Sequence, residues 1–177
     1  MAPILSRTSI RDFTDLPVSD VTVDALLRAA MAAPSAADER PWHFVVIRDQ
    51  HIRERILEIN RFAHIVPQAP VAILVCGDER LQKHRGFWVQ DCAAATENIL
   101  VEAEKLGLGA TWLGVYPIEG MVQGLRRLLN IPEHAIPFAL VAVGHPGERH
   151  EPADRYDDSR VHEESWRHQV ESRKRQP

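Results

Sequence analysis

The chain has 177 residues, 45% of them hydrophobic and 26% charged, an ordinary balance for one globular domain with a sizeable core. A net charge of -4 and a pI near 6.1 provide no basic face for nucleic acid or anionic lipid. Cys76 and Cys92 form no disulfide framework, the N-terminus lacks a long apolar segment, and no run approaches the roughly 18 apolar residues of a membrane span, so the expectation is a soluble, cytoplasmic protein with reduced cysteines.

In chain order, the first charged stretch runs from Arg7 through Thr8, Ser9, Ile10, Arg11 and Asp12 to Phe13. In an extended segment side chains alternate faces, so Arg7, Ser9 and Arg11 point one way and Thr8 and Ile10 the other. Two guanidinium forks around a hydroxyl suit a phosphate dianion, because Arg donates two parallel hydrogen bonds. The plainer reading of the same residues is a solvated, charged chain end.

Ser19 or Asp20 can cap a helix running to about Ala32, with Val21, Ala25, Leu26, Ala29 and Ala33 at helical spacing. Pro34, Ser35, Ala36, Ala37 and Asp38 then form a loop closed by Pro41, and His43 to Ile47 reads as a strand. Asp49 caps a polar helix carrying Ile52, Ile56 and Leu57. Val71 to Cys76 is an unbroken apolar run ended by Gly77, hence a strand buried on both faces.

The longest helix spans roughly Gly86 to Leu106, with Gly107 in the terminating position. Ala93, Ala94, Ala95, Ile99, Leu100 and Ala103 leave much of its circumference apolar, as in a central helix, and its alanines permit close approach of a second subunit. Ala110 to Tyr116 reads as a strand, Ile118 to Leu129 as a helix stopped before Pro132, and Pro137 to Val143 as a last strand. From Glu148 the chain is polar and poor in aliphatic residues, so it must lie along a surface or be partly disordered. Strands interleaved with helices give an α/β or α+β layered sheet.

Motifs exclude more than they identify. Gly107, Leu108, Gly109 and the residues to Trp112 begin like a dinucleotide fingerprint but follow a helix instead of opening one. No P-loop is present, the nine histidines and two cysteines lack metal-ligand spacing, and Ser9 and Ser35 lack a nucleophile elbow. Composition and spacing reach a soluble α/β domain able to hold a phosphorylated ligand, with no side chain marked as an acid, base or nucleophile.

Four segments in register resemble the nitroreductase family in its short single-domain form. Arg7-x-Ser9-x-Arg11 is similar to its N-terminal flavin motif, and Ala33 to Phe44 to its Pro-Ser-x-x-Asn-x-Gln-Pro-Trp segment. Asp91 to Asn98 with Gly107 to Gly114 resembles its central helix and following strand, and Arg155 to His162 its C-terminal arginine element. The resemblance covers residues 5 to 166, and residues 167 to 177 are left as a polar tail.

The resemblance implies an α+β fold, a central mixed sheet flanked by helices, the long helix at a homodimer interface, and two FMN sites between subunits. NADH or NADPH would be the electron donor. Arg7 and Arg155 would hold the FMN phosphate, with Thr8 and Ser9 beside the phosphate or ribityl chain and Arg11 at the N1/O2 edge of the ring. Pro34, Ser35 and Ala36, with Asp38 nearby, would come from the other subunit, and Trp112, Leu113 and Gly114 would line the opposite side. Neither a metal nor a catalytic side chain is implied; NAD(P)H would reduce the flavin and a planar acceptor would take its place. Alternatives of the same resemblance are a dehalogenating or oxygen-using flavoenzyme and a non-catalytic flavin-binding module. The short Gly77 to Arg85 segment leaves little room for a dehalogenase lid. This chain departs from the family pattern at Asp38 and Arg40, where Asn and Gln are usual; the two charges either tune the flavin or pair with each other.

Overall fold

The computed structural model describes residues 2–167. In chain order its elements are α1 (Pro3–Ser6), α2 (Asp20–Met31), β1 (Trp42–Ile47), α3 (Gln50–Ile59), β2 (Val71–Asp78), α4 (Trp88–Lys105), β3 (Gly109–Gly114), α5 (Glu119–Leu129) and β4 (Ala135–Gly144). Short 3-10 turns occupy Ala36–Asp38 and Asp158–Arg160.

Helix boundaries follow the side chains able to satisfy terminal amides and carbonyls. Ser19, not Asp20, caps α2, its hydroxyl accepting from the Thr22 amide at 3.2 Å. Asp49 caps α3 through the Ile52 amide at 2.9 Å. Gly107 follows α4 with φ +73, a conformation that favours glycine. Asn130 ends α5 in the left-handed region two residues before Pro132.

The sheet order is β1-β2-β4-β3, and every pair of adjacent strands is antiparallel. Parallel pairing, which the expected mixed sheet requires, is confined to one bridge between Ser9 and Ala110. The reason lies in the connections. Ile47 at the end of β1 lies opposite Ala72 at the start of β2, so residues 60–70 return the chain past α3 to the end it had left.

All eight residues of β2 are buried, and alternate side chains enter two cores. Val71, Ile73 and Val75 join Val141 and Val143 of β4 beneath α2 and α4, with Leu26, Trp88 and Ile99. Ala72 and Leu74 join Leu140 beneath α3 and α5, with Ile56, Val66 and Leu125. At 18 residues, α4 is about 27 Å long and crosses most of its face of the sheet. Its first residue, Trp88, lies so close to Gly77 that a Cβ there would come within 2.2 Å of the indole. Among the described residues no helix is long and apolar enough to cross a membrane.

Candidate functional site

Arg7 does not continue an extended strand; it follows the last residue of α1 as its cap, its amide bonding to the Pro3 carbonyl. Pairing with the sheet edge begins at Ser9, which bridges Ala110, and at Ile10, whose amide donates to the Ala110 carbonyl at 3.1 Å. The Thr111 hydroxyl donates to the Ile10 carbonyl, and Ile10 itself is buried. The expected alternation therefore holds for Ile10 inside and Arg11 outside. At the other end it gives way, and Thr8 borders the same cleft as Arg7.

That cleft, about 560 Å³ and open to solvent, is lined by Arg7, Thr8, Pro152, Arg155 and Tyr156 among others, so the beginning and end of the described chain meet there. The Arg7 guanidinium, 20% exposed, is steered by Glu97 of α4 at 3.4 Å. Two arginines and a threonine on one open cleft are residues whose donors fit a phosphate monoester dianion. Asp154 also lines the cleft, so the field there is mixed in sign. Ser9 and Arg11 adjoin it through the chain but do not line it. Arg11 is exposed, and its amide donates to the Glu148 carboxylate at 2.6 Å, which ties this edge to the polar C-terminal segment.

The second segment lies nearer the N-terminal end of α4. The Ala36 amide donates to Asp91 Oδ1 at 3.0 Å, and the Ser35 hydroxyl accepts from the Arg40 amide at 3.0 Å. Pro34 is exposed, and Ser35 and Ala36 are half-buried. Asp38 and Arg40 form a bidentate ion pair at 2.7 and 2.8 Å, so the two departures from the family pattern neutralise each other. The Arg40 hydrogen bonds hold the Asp38 carboxyl below its ordinary value. Within this single chain, Pro34, Ser35, Ala36 and Asp38 do not line the Arg7–Arg155 cleft.

On β3 the three candidate residues divide. Trp112 is half-buried against Phe138, ring centroids 6.0 Å apart, on the α4 face. Leu113 points to the opposite face and is buried with Leu140 and Leu125, so its side chain belongs to a core; only its backbone is available beside Trp112. Gly114 is exposed.

Three side chains that build this region lie in the family-like segments without being among the candidate site residues. Glu97, which steers Arg7, and Asp91, which holds Ala36, both project from the helix whose apolar content drew attention instead. A buried acid inside an alanine-rich helix was the available signal for Asp91, at 5% exposure. Glu39 is 6% exposed in an otherwise exposed, polar turn, and no local pattern distinguishes it.

The model of the Nitroreductase family matches residues 4–63 and 60–145. A protein of Methanothermobacter thermautotrophicus, provisionally named an NADH dehydrogenase/NAD(P)H nitroreductase, is 50% identical over 163 residues, covering 92% of this chain and 85% of its own. A solved structure from Parabacteroides distasonis with the same provisional name superposes with a TM-score of 0.89 at 37% identity, covering 93% of this chain and 96% of that one. A provisionally assigned nitroreductase from Desulfovibrio desulfuricans, solved in complex with FMN, gives a TM-score of 0.76 at 34% identity over 87% of this chain and 90% of that one.

Proposed function

This chain belongs to the nitroreductase family, and from that premise we propose that it is a cytoplasmic, homodimeric, FMN-dependent oxidoreductase acting on small planar acceptors. The observation that carries the reading is the meeting of Arg7, Thr8 and Arg155 on one open cleft. Relatives named for NAD(P)H and for FMN support the donor and the cofactor.

When bound, FMN supplies the redox chemistry, taking hydride from NADH or NADPH and passing reducing equivalents, in ping-pong order, to an acceptor such as a nitroaromatic or quinone. Arg7 and Arg155 grip its phosphate, helped by Thr8 and Ser9. Each charge-assisted hydrogen bond is worth about 1.5–3 kcal/mol, so a few hold the cofactor without a covalent link. Arg11 places positive charge where the N1/O2 edge becomes anionic on reduction, the electrostatic logic of an oxyanion site. Trp112 and the backbone of Leu113 and Gly114 wall one side. Pro34, Ser35 and Ala36 reach the site from the partner protomer, which accounts for their distance from the cleft of their own chain. Exposed Phe87 and Ile118, 45% and 50% accessible, give a second copy apolar surface to cover.

The visible spectrum of the purified protein, before and after anaerobic NADH, tests this. A flavin spectrum that bleaches is expected. A colourless protein that also ignores added FMN overturns the reading, and a failure of every nitroaromatic or quinone to outpace oxygen as oxidant overturns the acceptor class.

A further inference from the structure

Residues 35–40 adopt a backbone that their sequence does not favour. Ala37, Asp38 and Arg40 have φ of 49, 54 and 46, the left-handed region that disfavours residues with a Cβ. Such a conformation persists only where the surroundings impose it. Of residues 37 to 40 only Glu39 is buried, and its carboxyl is one of the groups that tie the turn to the rest of the protein.

That carboxyl contacts Asp91 of α4. Glu39 Oε2 accepts from the Lys83 amide at 2.6 Å and the His84 amide at 3.2 Å, and Asp91 Oδ1 accepts from the Ala36 amide at 3.0 Å. The remaining oxygens, Glu39 Oε1 and Asp91 Oδ2, are both fully buried and have no donor. Two carboxylates in contact, each about one-twentieth exposed, repel and lack the water that would screen them. One proton between the two carboxyl groups replaces that repulsion with a charge-assisted O–H···O hydrogen bond and gives the orphaned oxygens a partner.

We propose that Glu39 and Asp91 share one proton, and that this carboxyl pair is the positioning latch that holds the left-handed 35–40 loop against α4. Of the two, Asp91 is the one displaced toward its protonated form. Burial, opposed by the Ala36 amide, and the neighbouring Glu39 carboxylate push Asp91 above its ordinary value. Burial also acts on Glu39, but the Lys83 and His84 amides outweigh it and hold that group below its ordinary value. The other titratable groups beside the pair are His84 and Lys83 of the 79–87 segment, with Asp38 and Arg40 of the loop paired to each other. Lys83 also donates from Nζ to the Ala37 carbonyl at 2.7 Å, a second tie that carries no shared proton.

The proposed pair keeps a proton that the unfolded chain would release, so the latch weakens as pH rises through the pair's second ionisation. Resting on the proposed function, the loop is the part that presents Pro34, Ser35 and Ala36 to the flavin of the other protomer, and its loosening lowers FMN affinity.

Asp91→Asn places an N–H where the acid has its O–H and keeps an oxygen for the Ala36 amide, so it preserves the latch without titration; Asp91→Ala removes it. Infrared spectra of the full chain at neutral pH are expected to show a protonated-carboxyl band that Asp91→Asn abolishes. Hydrogen-exchange protection of the Asp38, Glu39 and Arg40 amides in the wild type should fall by up to about ten-fold per pH unit once the pair ionises. In Asp91→Asn protection should stay level from neutral to alkaline pH, and in Asp91→Ala it should be low throughout. Absence of the acid band, or the same alkaline loss in Asp91→Asn as in the wild type, overturns the shared proton. These readouts need no flavin, so they stand apart from the question of FMN binding. Where FMN binds, its affinity should track the loop protection in wild type and be flat in Asp91→Asn. Affinity that stays flat in the wild type while protection falls overturns the positioning role.

Discussion

The two faces of the sheet are built from the same strands yet finished differently. Beneath α3 and α5, Ile56, Val66, Leu74, Leu125 and Leu140 close an apolar core, and α5 turns its charged side outward. Beneath α2 and α4 the core is as well buried, but α4 also carries Asp91, Glu97 and Asn98, which reach to the 35–40 loop, to Arg7 and to the Ala29 carbonyl. The first face also holds such a group, Arg53 of α3, which ties the Arg48 and Pro70 carbonyls at the sheet's end, whereas the second uses part of its central helix to place the loops of the proposed site. The difference teaches that a buried polar side chain on α4 is a positional device, because an apolar residue in its place would pack without specifying where the loops go.

The strongest way to break this comparison is to make equal holes on the two faces. Leu140→Ala, beneath α5, is expected to cost about 2–5 kcal/mol in urea unfolding while leaving FMN affinity of the folded protein unchanged. Ile99→Ala, fully buried in α4, should cost a similar amount, about 2–5 kcal/mol, and also weaken FMN binding, since the same helix carries Glu97 and Asp91. Equal FMN affinities in the two variants would show that the faces are not divided in this way.

Removing a group that serves binding and not packing should give the converse. Arg7→Ala is expected to weaken FMN binding about 10- to 150-fold, the equivalent of one charge-assisted contact of roughly 1.5–3 kcal/mol. Its unfolding midpoint should barely move, because the Arg7–Glu97 pair is partly solvated. Arg7→Lys should recover part of the affinity, as a point charge without the fork. Fluorescence titration with FMN measures all three proteins.

Acid should separate the two kinds of buried carboxyl. Asp78, fully buried at the end of β2, is held far below its ordinary value, first by hydrogen bonds from Arg80, against the opposing effect of burial. Its folded value lies below the unfolded one, so its stabilisation is present above pH about 4 and is lost as pH falls through the acid range. Asp91 has the opposite sign. The wild type should therefore lose stability on acidification below pH about 4, and Asp78→Asn should be less stable at neutral pH but flatter in that range. An unchanged acid limb in Asp78→Asn would remove Asp78 from this account.

Much of this architecture is legible in the sequence, and what is not has a physical reason. The apolar run at Val71–Cys76 and the alanine-rich helix ending at Gly107 announce themselves because burial on both faces and helical periodicity are local properties. Ser19 and Asp49 are found by chemistry, since a cap needs only an acceptor before a helix. α1, at four residues, is too short to show a period. The left-handed Ala37, Asp38 and Arg40 carry no glycine to signal them. Glu39 and Asp91 meet only after β1 and β2 have paired, so their contact is tertiary and leaves no trace in spacing. Likewise the family resemblance groups Leu113 with Trp112 and Gly114, although strand alternation sends its side chain to the other face. The neighbourhood of Arg155, with Asp154, Asp157 and Asp158, reads more readily as a charged surface, and the family resemblance is what pairs it with Arg7.

The smallest expected effect concerns the two positions where this chain departs from its family. Asp38 and Arg40 are exposed and bind each other through two hydrogen bonds at 2.7 and 2.8 Å. At the distance of any flavin the pair acts as a small dipole, and solvent screens it further. The double variant Asp38→Asn with Arg40→Gln keeps the net charge, so FMN affinity should change by less than about two-fold and the flavin midpoint potential should be unmoved. Asp38→Asn alone leaves Arg40 uncompensated and should favour the anionic reduced flavin slightly, raising the potential, an effect that salt should erase. A double variant that raises the potential as far as the single one would show that Asp38 acts on the flavin as an isolated charge in spite of its partner, and a single variant that lowers it would exclude any such electrostatic action.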